Sequence, residues 1–284
     1  MTTQTSIPTN DLTARYQQDG FFLPYNVLDE SEAGELRADY EAAERELAGR
    51  PEDFAILRSS PDRVLPSFDA LVRHPRLISG VSQLLGSDLL VWNGGTFIKE
   101  ANSPHIVSWH QDLTYWGLSD AEEVTAWVAL SPSTVASGCM RFIPGSHRRN
   151  LVEHIDTFDD NNLLSRGQEI AVDVDENMAI DVLLKPGQAS LHHGHLFHAS
   201  GPNSTDDRRI GVAIRYIKPS LKQVGGQKTL ARLVSGADHY GHFSLADAPD
   251  GRLSEADFTR CREDAKLRRE VLFKGVENQN GNRY

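Results

Sequence analysis

The texture of the chain changes at Gly86, and that change constrains the fold more than any other feature. Upstream, apolar residues recur at helical spacing. Downstream, as far as residue 218, they come in short runs rich in Val, Thr, Ile, Phe and Trp, separated by Gly, Pro, Asn and Ser. The runs "LLVWNGGTFIKE", "EVTAWVALSP", "GCMRFIPGSH", "NMAIDVLLKPGQASLHH" and "RRIGVAIRYIKP" each have the length and composition of a strand or a strand with its turn. Many short strands must close on one another or double up to protect their edges. With helices mostly outside them, this spacing predicts a mainly β fold: a double-stranded β-helix of the jelly-roll, cupin-like kind with flanking α-helices.

The 284 residues suit one domain with a large buried core. It divides into a helical N-terminal part (about 10–86), a jelly-roll core (about 88–220) and a C-terminal lid and helix (about 221–284). "YQQDGFFLPYNVLDESEAGELRADYEAAERELAG" predicts a short helix, an extended piece and a longer helix. Asp29 or Ser31 stands at the cap of the longer one, where Leu36, Tyr40, Ala43 and Leu47 recur at helical spacing. "PRLISGVSQLLGSD" predicts a further helix ended by Gly86. Residues 148–172 are polar and read as a long insertion between strands.

The 40 acidic and 29 basic residues leave a formal charge of -11, which argues against nucleic-acid backbones and anionic membrane surfaces. The expected partner is a small molecule. Cys139 and Cys261 are far apart and neither belongs to a CxxC pair, so no disulfide framework or thiolate zinc site is expected. The chain starts without a basic, apolar leader and has no run of roughly 18 apolar residues, so a cytoplasmic location is expected.

A strand puts residues i and i+2 on one face, so "WHQDL" aims His110 and Asp112 the same way. With one more imidazole they form the facial triad that binds non-haem Fe(II) and leaves coordination positions open. The HxD pattern is short, and "HID" at His154 and Asp156 repeats it inside the polar insertion, where nothing suggests a strand facing a core. Trp109, Leu113, Tyr115 and Trp116 give "WHQDLTYW" the apolar setting that "HID" lacks.

"LHHGHLFHASGPN" offers His192, His193, His195 and His198 as the third ligand. Gly194 bends the chain, so His192 and His193 end one strand. Beyond the bend His198 shares a face with Leu196 and Ser200, and His195 shares the other with Phe197. Spacing alone does not choose among them. In "RRIGVAIRYI", alternation sets Arg209, Gly211, Ala213 and Arg215 against Ile210, Val212, Ile214 and Tyr216. Two arginines separated by two very small residues make poor core packing but a charged pocket with room for a ligand.

"WHQD" followed by "HASGPNSTDDRR" resembles the phytanoyl-CoA dioxygenase family of Fe(II)/2-oxoglutarate oxygenases. The resemblance implies Fe(II) on His110, Asp112 and His198, with 2-oxoglutarate and dioxygen as cosubstrates. It makes His198 the first residue of an "HxSxxN" turn closed by Asn203. Arg209, eleven positions after His198, then binds the distal carboxylate of 2-oxoglutarate, helped by Ser200. A planar guanidinium suits that task through paired, charge-assisted hydrogen bonds. Trp127 stands near the family's tryptophan beside the cosubstrate, and "GCMRFIPGSHR" resembles a scaffold turn made by Gly145 and Ser146. The implied reaction is hydroxylation of an unactivated C–H bond with release of succinate and carbon dioxide. Related halogenases have Ala or Gly at the position of Asp112. Of the remaining histidines, His193 is the one expected nearest the pocket.

Asn93, Thr96, Lys99, Tyr115, Trp116, Arg141 and Arg215 are the candidate substrate contacts. Tyr115 and Trp116 offer π faces to an ammonium group, and Lys99, Arg141 or Arg215 offers a partner to a phosphonate or carboxylate. Together they suit a small zwitterion such as an aminoalkylphosphonate, or a quaternary-ammonium analogue. An acyl-CoA is the alternative by family name, although no basic cluster stands out for its phosphates. "LARLVSGADHYGHF" reads as either a cover over the pocket mouth, with Arg232, His239 or His242 reaching inward, or a surface loop. Two readings from other classes remain, a zinc hydrolase and a non-catalytic metal-binding barrel. The zinc reading leaves Arg209 without a purpose.

Overall fold

The computed structural model describes residues 9–157, 161–164 and 167–272. Helices α1 (Thr9–Asp19), α2 (Glu30–Glu46), α3 (Pro51–Ser59), α4 (Pro61–Val64), α5 (Pro66–Val72) and α6 (Pro75–Leu85) precede the β-rich region, and α7 (Glu255–Leu272) follows it. Asp29 caps α2 in a reciprocal box: its carboxylate accepts from the Glu32 N–H, and the Glu32 carboxylate accepts from the Asp29 N–H, both at 2.8 Å. α6 stops at Gly86, where φ is 93°. The helices α3 to α5 escaped the periodicity argument. Each opens on a proline, and these restarts leave segments too short to display a 3.6-residue repeat.

The strands, in chain order, are β1 (Phe21–Asn26), β2 (Leu89–Lys99), β3 (Val107–His110), β4 (Glu123–Ala129), β5 (Met140–Phe142), β6 (His154–Asp156), β7 (Gln168–Ile170), β8 (Ile180–Asp181), β9 (Gln188–His192), β10 (His198–Ser200), β11 (Arg209–Ile217), β12 (Leu230–Ser235) and β13 (Ser244–Leu245). A major sheet has the order β1-β9-β4-β11-β2-β12-β13, and a minor sheet the order β3-β10-β5-β8. The two sheets face each other in the expected jelly-roll manner. The insertion, expected only as a long polar segment between strands, differs in carrying a strand pair of its own, β6 with β7 antiparallel. "LARLV" also differs from either expectation: as β12 it extends the major sheet beside β2.

All nine residues of β11 are buried, so both of its faces are covered. Ile210, Val212, Ile214 and Tyr216 pack outward with Val124, Ala126 and Val128 of β4 against the helices, where Leu36, Tyr40, Phe68 and Leu77 complete the largest core. The inner face packs Ala213, Trp127 and Ala129 with Met140 and Phe142 from the minor sheet and Val182 just after it. Alternation in β11 thus separates a greasy helical interface from the interior that holds the polar site. Cys139 and Cys261 are buried free thiols. Among the described residues, no helix is long and apolar enough to cross a membrane.

Candidate metal centre and its cavity

β3 and β10 are neighbours in the minor sheet, and their register sets His110 opposite His198 with ring centroids 4.0 Å apart. The strand ends at His110 instead of running through "WHQDL", and Asp112 opens a 3₁₀ turn, Asp112–Tyr115. Gln111 stays extended, with φ -123° and ψ 130°, and the Asp112 carboxylate comes back beside His110. Asp112 Oδ1 lies 3.3 Å from His110 Nε2 and 3.8 Å from His198 Nε2. One ligand atom from each of the three residues lies within 4.8 Å of the others.

The donor set fits a divalent metal. His110 Nδ1 is 2.9 Å from the Ser108 carbonyl, and His198 Nδ1 is 2.9 Å from that of Leu196. A carbonyl only accepts, so each Nδ1 carries a proton and each ring turns its Nε2, the nitrogen available to a metal, toward Asp112. Burial, followed by the neighbouring His110, pushes the His198 pKa down to about 4, leaving its ring neutral near pH 7. Burial raises the Asp112 pKa, but the His110 hydrogen bond and the charges of His198 and Arg215 outweigh it and hold the carboxyl well below its ordinary value. Gln111, 0% exposed, points away from this cluster: Nε2 donates to the carbonyls of Asn150 and His195, and Oε1 accepts from the Val152 N–H.

Arg209 and Arg215, with Phe97, Thr125, Trp127, Met140, His192 and Ser200, line the cavity that holds these three ligands. Arg209 is 2% exposed, its Nη1 donates to the Gly138 carbonyl at 3.0 Å, and its Nε has no partner. Among the described residues no carboxylate lies within ion-pair distance of it, and burial brings its pKa down to about 10. Trp127 flanks it, with the guanidinium 5.3 Å from the ring centroid. A Cβ at Gly211 would stand 1.9 Å from the Trp127 indole, so this glycine gives the ring its place, and part of the room expected between the arginines is filled by Trp127. Asn203 ties the loop between His198 and Arg209. Its Nδ2 reaches the carbonyls of Lys99, Glu100 and Asp207, and its Oδ1 accepts from the Thr205 N–H.

At the other end of the face, the Arg215 guanidinium lies between Phe97 and Trp116, 5.5 and 5.2 Å from their centroids, and Nη1 donates to Asn93 Oδ1 at 3.0 Å. Two groups here were not anticipated. His192, not His193, lines the cavity: its ring is 5.4 Å from that of His198, and its Nδ1 contacts Ser190 Oγ at 3.2 Å. His193 turns the other way, toward Tyr16, His147 and His195. Glu123 is a buried carboxyl that accepts from the Gly194 N–H, with its pKa raised first by burial and then by Asp112. Its place two and four residues before Thr125 and Trp127 on one strand face was the available signal.

Several expected substrate contacts lie elsewhere. Thr96 faces the helices, bonded to the Tyr40 hydroxyl and the Arg58 carbonyl. Lys99, 1% exposed, lies behind Arg209, its partner across the β2–β11 ladder, and Nζ donates to the carbonyls of Ser200 and Gly201. Arg141 projects from the outside of β5, where Met140 and Phe142 occupy the inner positions, and pairs with Glu176 at 2.6 Å. Asn93 acts through Arg215, and Trp116 packs on Trp92 and Arg215. The Tyr115 side chain lies outside the described residues. Arg232 binds Asp69 and the Ala246 carbonyl, and neither it, His239 nor His242 lines the cavity.

A jelly roll carrying two histidines and an aspartate beside a buried arginine defines a class of metal-dependent oxygenases. The sequence matches the phytanoyl-CoA dioxygenase family over residues 16–211, and the chain belongs to that family. The solved non-heme monooxygenase ThoJ is similar in its apo form, with a TM-score of 0.84 and 36% identity over 92% of this chain and 97% of that one. Its nickel complex gives 0.78 and 33%, over 92% and 98%. L-proline trans-4-hydroxylase of Streptomyces griseoviridis is 29% identical over 74% of this chain and 87% of its own. A probable alpha-ketoglutarate-dependent hypophosphite dioxygenase of Stutzerimonas stutzeri is 27% identical over 55% of each chain, so that match spans about half of the relative's length.

Proposed function

We propose that this protein is an Fe(II)- and 2-oxoglutarate-dependent dioxygenase that hydroxylates an unactivated C–H bond of a small, anionic or zwitterionic metabolite, releasing succinate and carbon dioxide. Arg209 carries the proposal. A buried guanidinium without a carboxylate partner among the described residues is costly, and a dicarboxylate cosubstrate arriving in the same cavity supplies the missing anion. A zinc hydrolase has no use for it.

In this assignment His110, Asp112 and His198 hold the iron, which when bound supplies the site for the keto acid and dioxygen and the oxidising chemistry. Arg209 and Ser200 receive the distal carboxylate, and Trp127 walls the chain of the diacid. The carbonyls of Ser108 and Leu196 keep both imidazoles aimed inward. Phe97, Val107 and Met140 give the cavity an apolar wall.

Arg215 supplies a cation for the substrate's anionic group. The named substrates of two relatives, hypophosphite and proline, are respectively an oxyanion and a zwitterion. The Arg215 guanidinium takes the Trp116 face expected to meet an ammonium group. The anionic half of an aminoalkylphosphonate therefore has a partner here.

The test is anaerobic titration with Fe(II) and 2-oxoglutarate, followed by aerobic turnover of aminoalkylphosphonates, amino acids, quaternary amines and acyl-CoAs. A visible charge-transfer band and succinate coupled to a gain of one oxygen in an anionic substrate are expected. Zinc-dependent hydrolysis of esters or amides without succinate would overturn the proposal.

A further inference from the structure

The two HxD motifs of the sequence touch each other. β3 pairs with β10 as far as His110, so the next amide, the Gln111 N–H, lies beyond the ladder and needs another acceptor. His154 of β6 provides it: the Gln111 N–H donates to His154 Nε2 at 3.1 Å. On the far side of the ring, Nδ1 lies 2.9 Å from the Val152 carbonyl. That carbonyl can only accept, so Nδ1 carries the proton and Nε2 is the lone-pair nitrogen that an amide donor requires. Thr114 Oγ1 stands 3.3 Å from the ring, at the turn that Asp112 opens.

We propose that His154 is a positioning residue of the metal centre, fixing through the Gln111 amide the backbone that joins His110 to Asp112. Gln111 is the single residue between two of the three metal-facing side chains, and its extended conformation returns Asp112 to the side of His110. A shift of this amide moves the carboxylate one residue away. The insertion does not depend on His154 for attachment. The Gln111 side chain already bonds to Asn150 and Val152, the Ile106 N–H donates to the Asn161 carbonyl, and the Leu163 N–H donates to the Ile106 carbonyl. Removing the Nε2 acceptor therefore acts on the metal-binding turn while the insertion stays docked.

The proposal rests on the metal assignment made under the proposed function. Its test compares H154Q with H154M in the full chain. The two side chains have similar length and volume, but only glutamine offers an oxygen to the Gln111 N–H. Cobalt(II) is the probe, with affinity read by calorimetry and ligand geometry by the visible d–d spectrum. H154M is expected to bind cobalt about 10-fold or more weakly, as for the loss of outer hydrogen bonds at metal sites, with an altered spectrum. H154Q is expected to stay close to the wild type in both. Equal binding by all three proteins, or equal weakening in both variants, would overturn the role of the acceptor. A wild type that binds no cobalt would instead overturn the metal assignment, and this proposal with it.

Discussion

Arg209 and Arg215 lie on the same face of one strand, six residues apart, yet their surroundings differ. Arg209 has one carbonyl, one indole and a buried Nε without a partner. Arg215 lies between two aromatic rings, bonds to Asn93 and stands near enough to Asp112 to favour its ionised form. One strand face thus provides a cation whose proposed partner is a visiting anion and another that already acts on the carboxylate of the candidate metal centre. Direction and burial are shared, so the neighbours decide the task.

The largest expected effect breaks this division directly. Removing one partner of a buried, hydrogen-bonded charge pair costs about 2–5 kcal/mol, so R209L should raise the Kd for 2-oxoglutarate roughly 30-fold or more in anaerobic titrations. R215L should leave that Kd within a few-fold and raise the KM for an anionic substrate instead. If R215L weakens 2-oxoglutarate as much as R209L does, the division of labour is wrong. A smaller effect is expected at Gly211, between the two arginines. G211A drives a methyl into the Trp127 indole, an overpacking worth about 1–3 kcal/mol, so the Tm falls and the KM for 2-oxoglutarate rises. An unchanged Tm would mean that Trp127 has another rotamer open to it.

The smallest effect concerns protons. Burial, then the charge of Arg209, bring the Lys99 pKa from 10.5 to about 7. Between those values the unfolded chain holds a proton that the folded chain does not. Lys99 therefore contributes to stability above pH 10.5, and the contribution is lost as pH falls toward 7. A dianion beside Arg209 favours protonated Lys99, so 2-oxoglutarate binding at pH 8 should take up a fraction of a proton. At pH 6, where Lys99 is already charged, it should take up none. Binding enthalpies measured in buffers of different ionisation enthalpy check this, and identical values at pH 8 would refute it.

How far the sequence reached depended on contrast between strand faces. β11 alternates charged or tiny residues with large apolar ones, so both arginines could be assigned to the inner face before the fold was known. β2 carries Asn93, Gly94, Gly95 and Thr96 in succession, with little apolar difference between faces, and a bulge opposite Arg215 and Tyr216 shifts its register. The bulge lies before Asn93, and along the regular ladder from Asn93 to Lys99 the position of Thr96 alternates with both, so it faces the helices. Arg141 sits between Met140 and Phe142, and parity alone places it outside. His110 and His198, which the candidate centre brings together, stand in local motifs, but the contact between Gln111 and His154 spans 43 residues and leaves no local periodicity.

The Asn203 clamp makes the stretch from His198 to Arg209 behave as a measuring rod. Because Nδ2 ties the end of β2 at Lys99 and the following Glu100 to the Asp207 carbonyl, one inserted or deleted residue would uncouple the imidazole proposed to hold the ion from the guanidinium proposed to hold the diacid. Grafting new specificity onto this scaffold therefore has to leave that interval untouched and vary the mouth of the barrel instead.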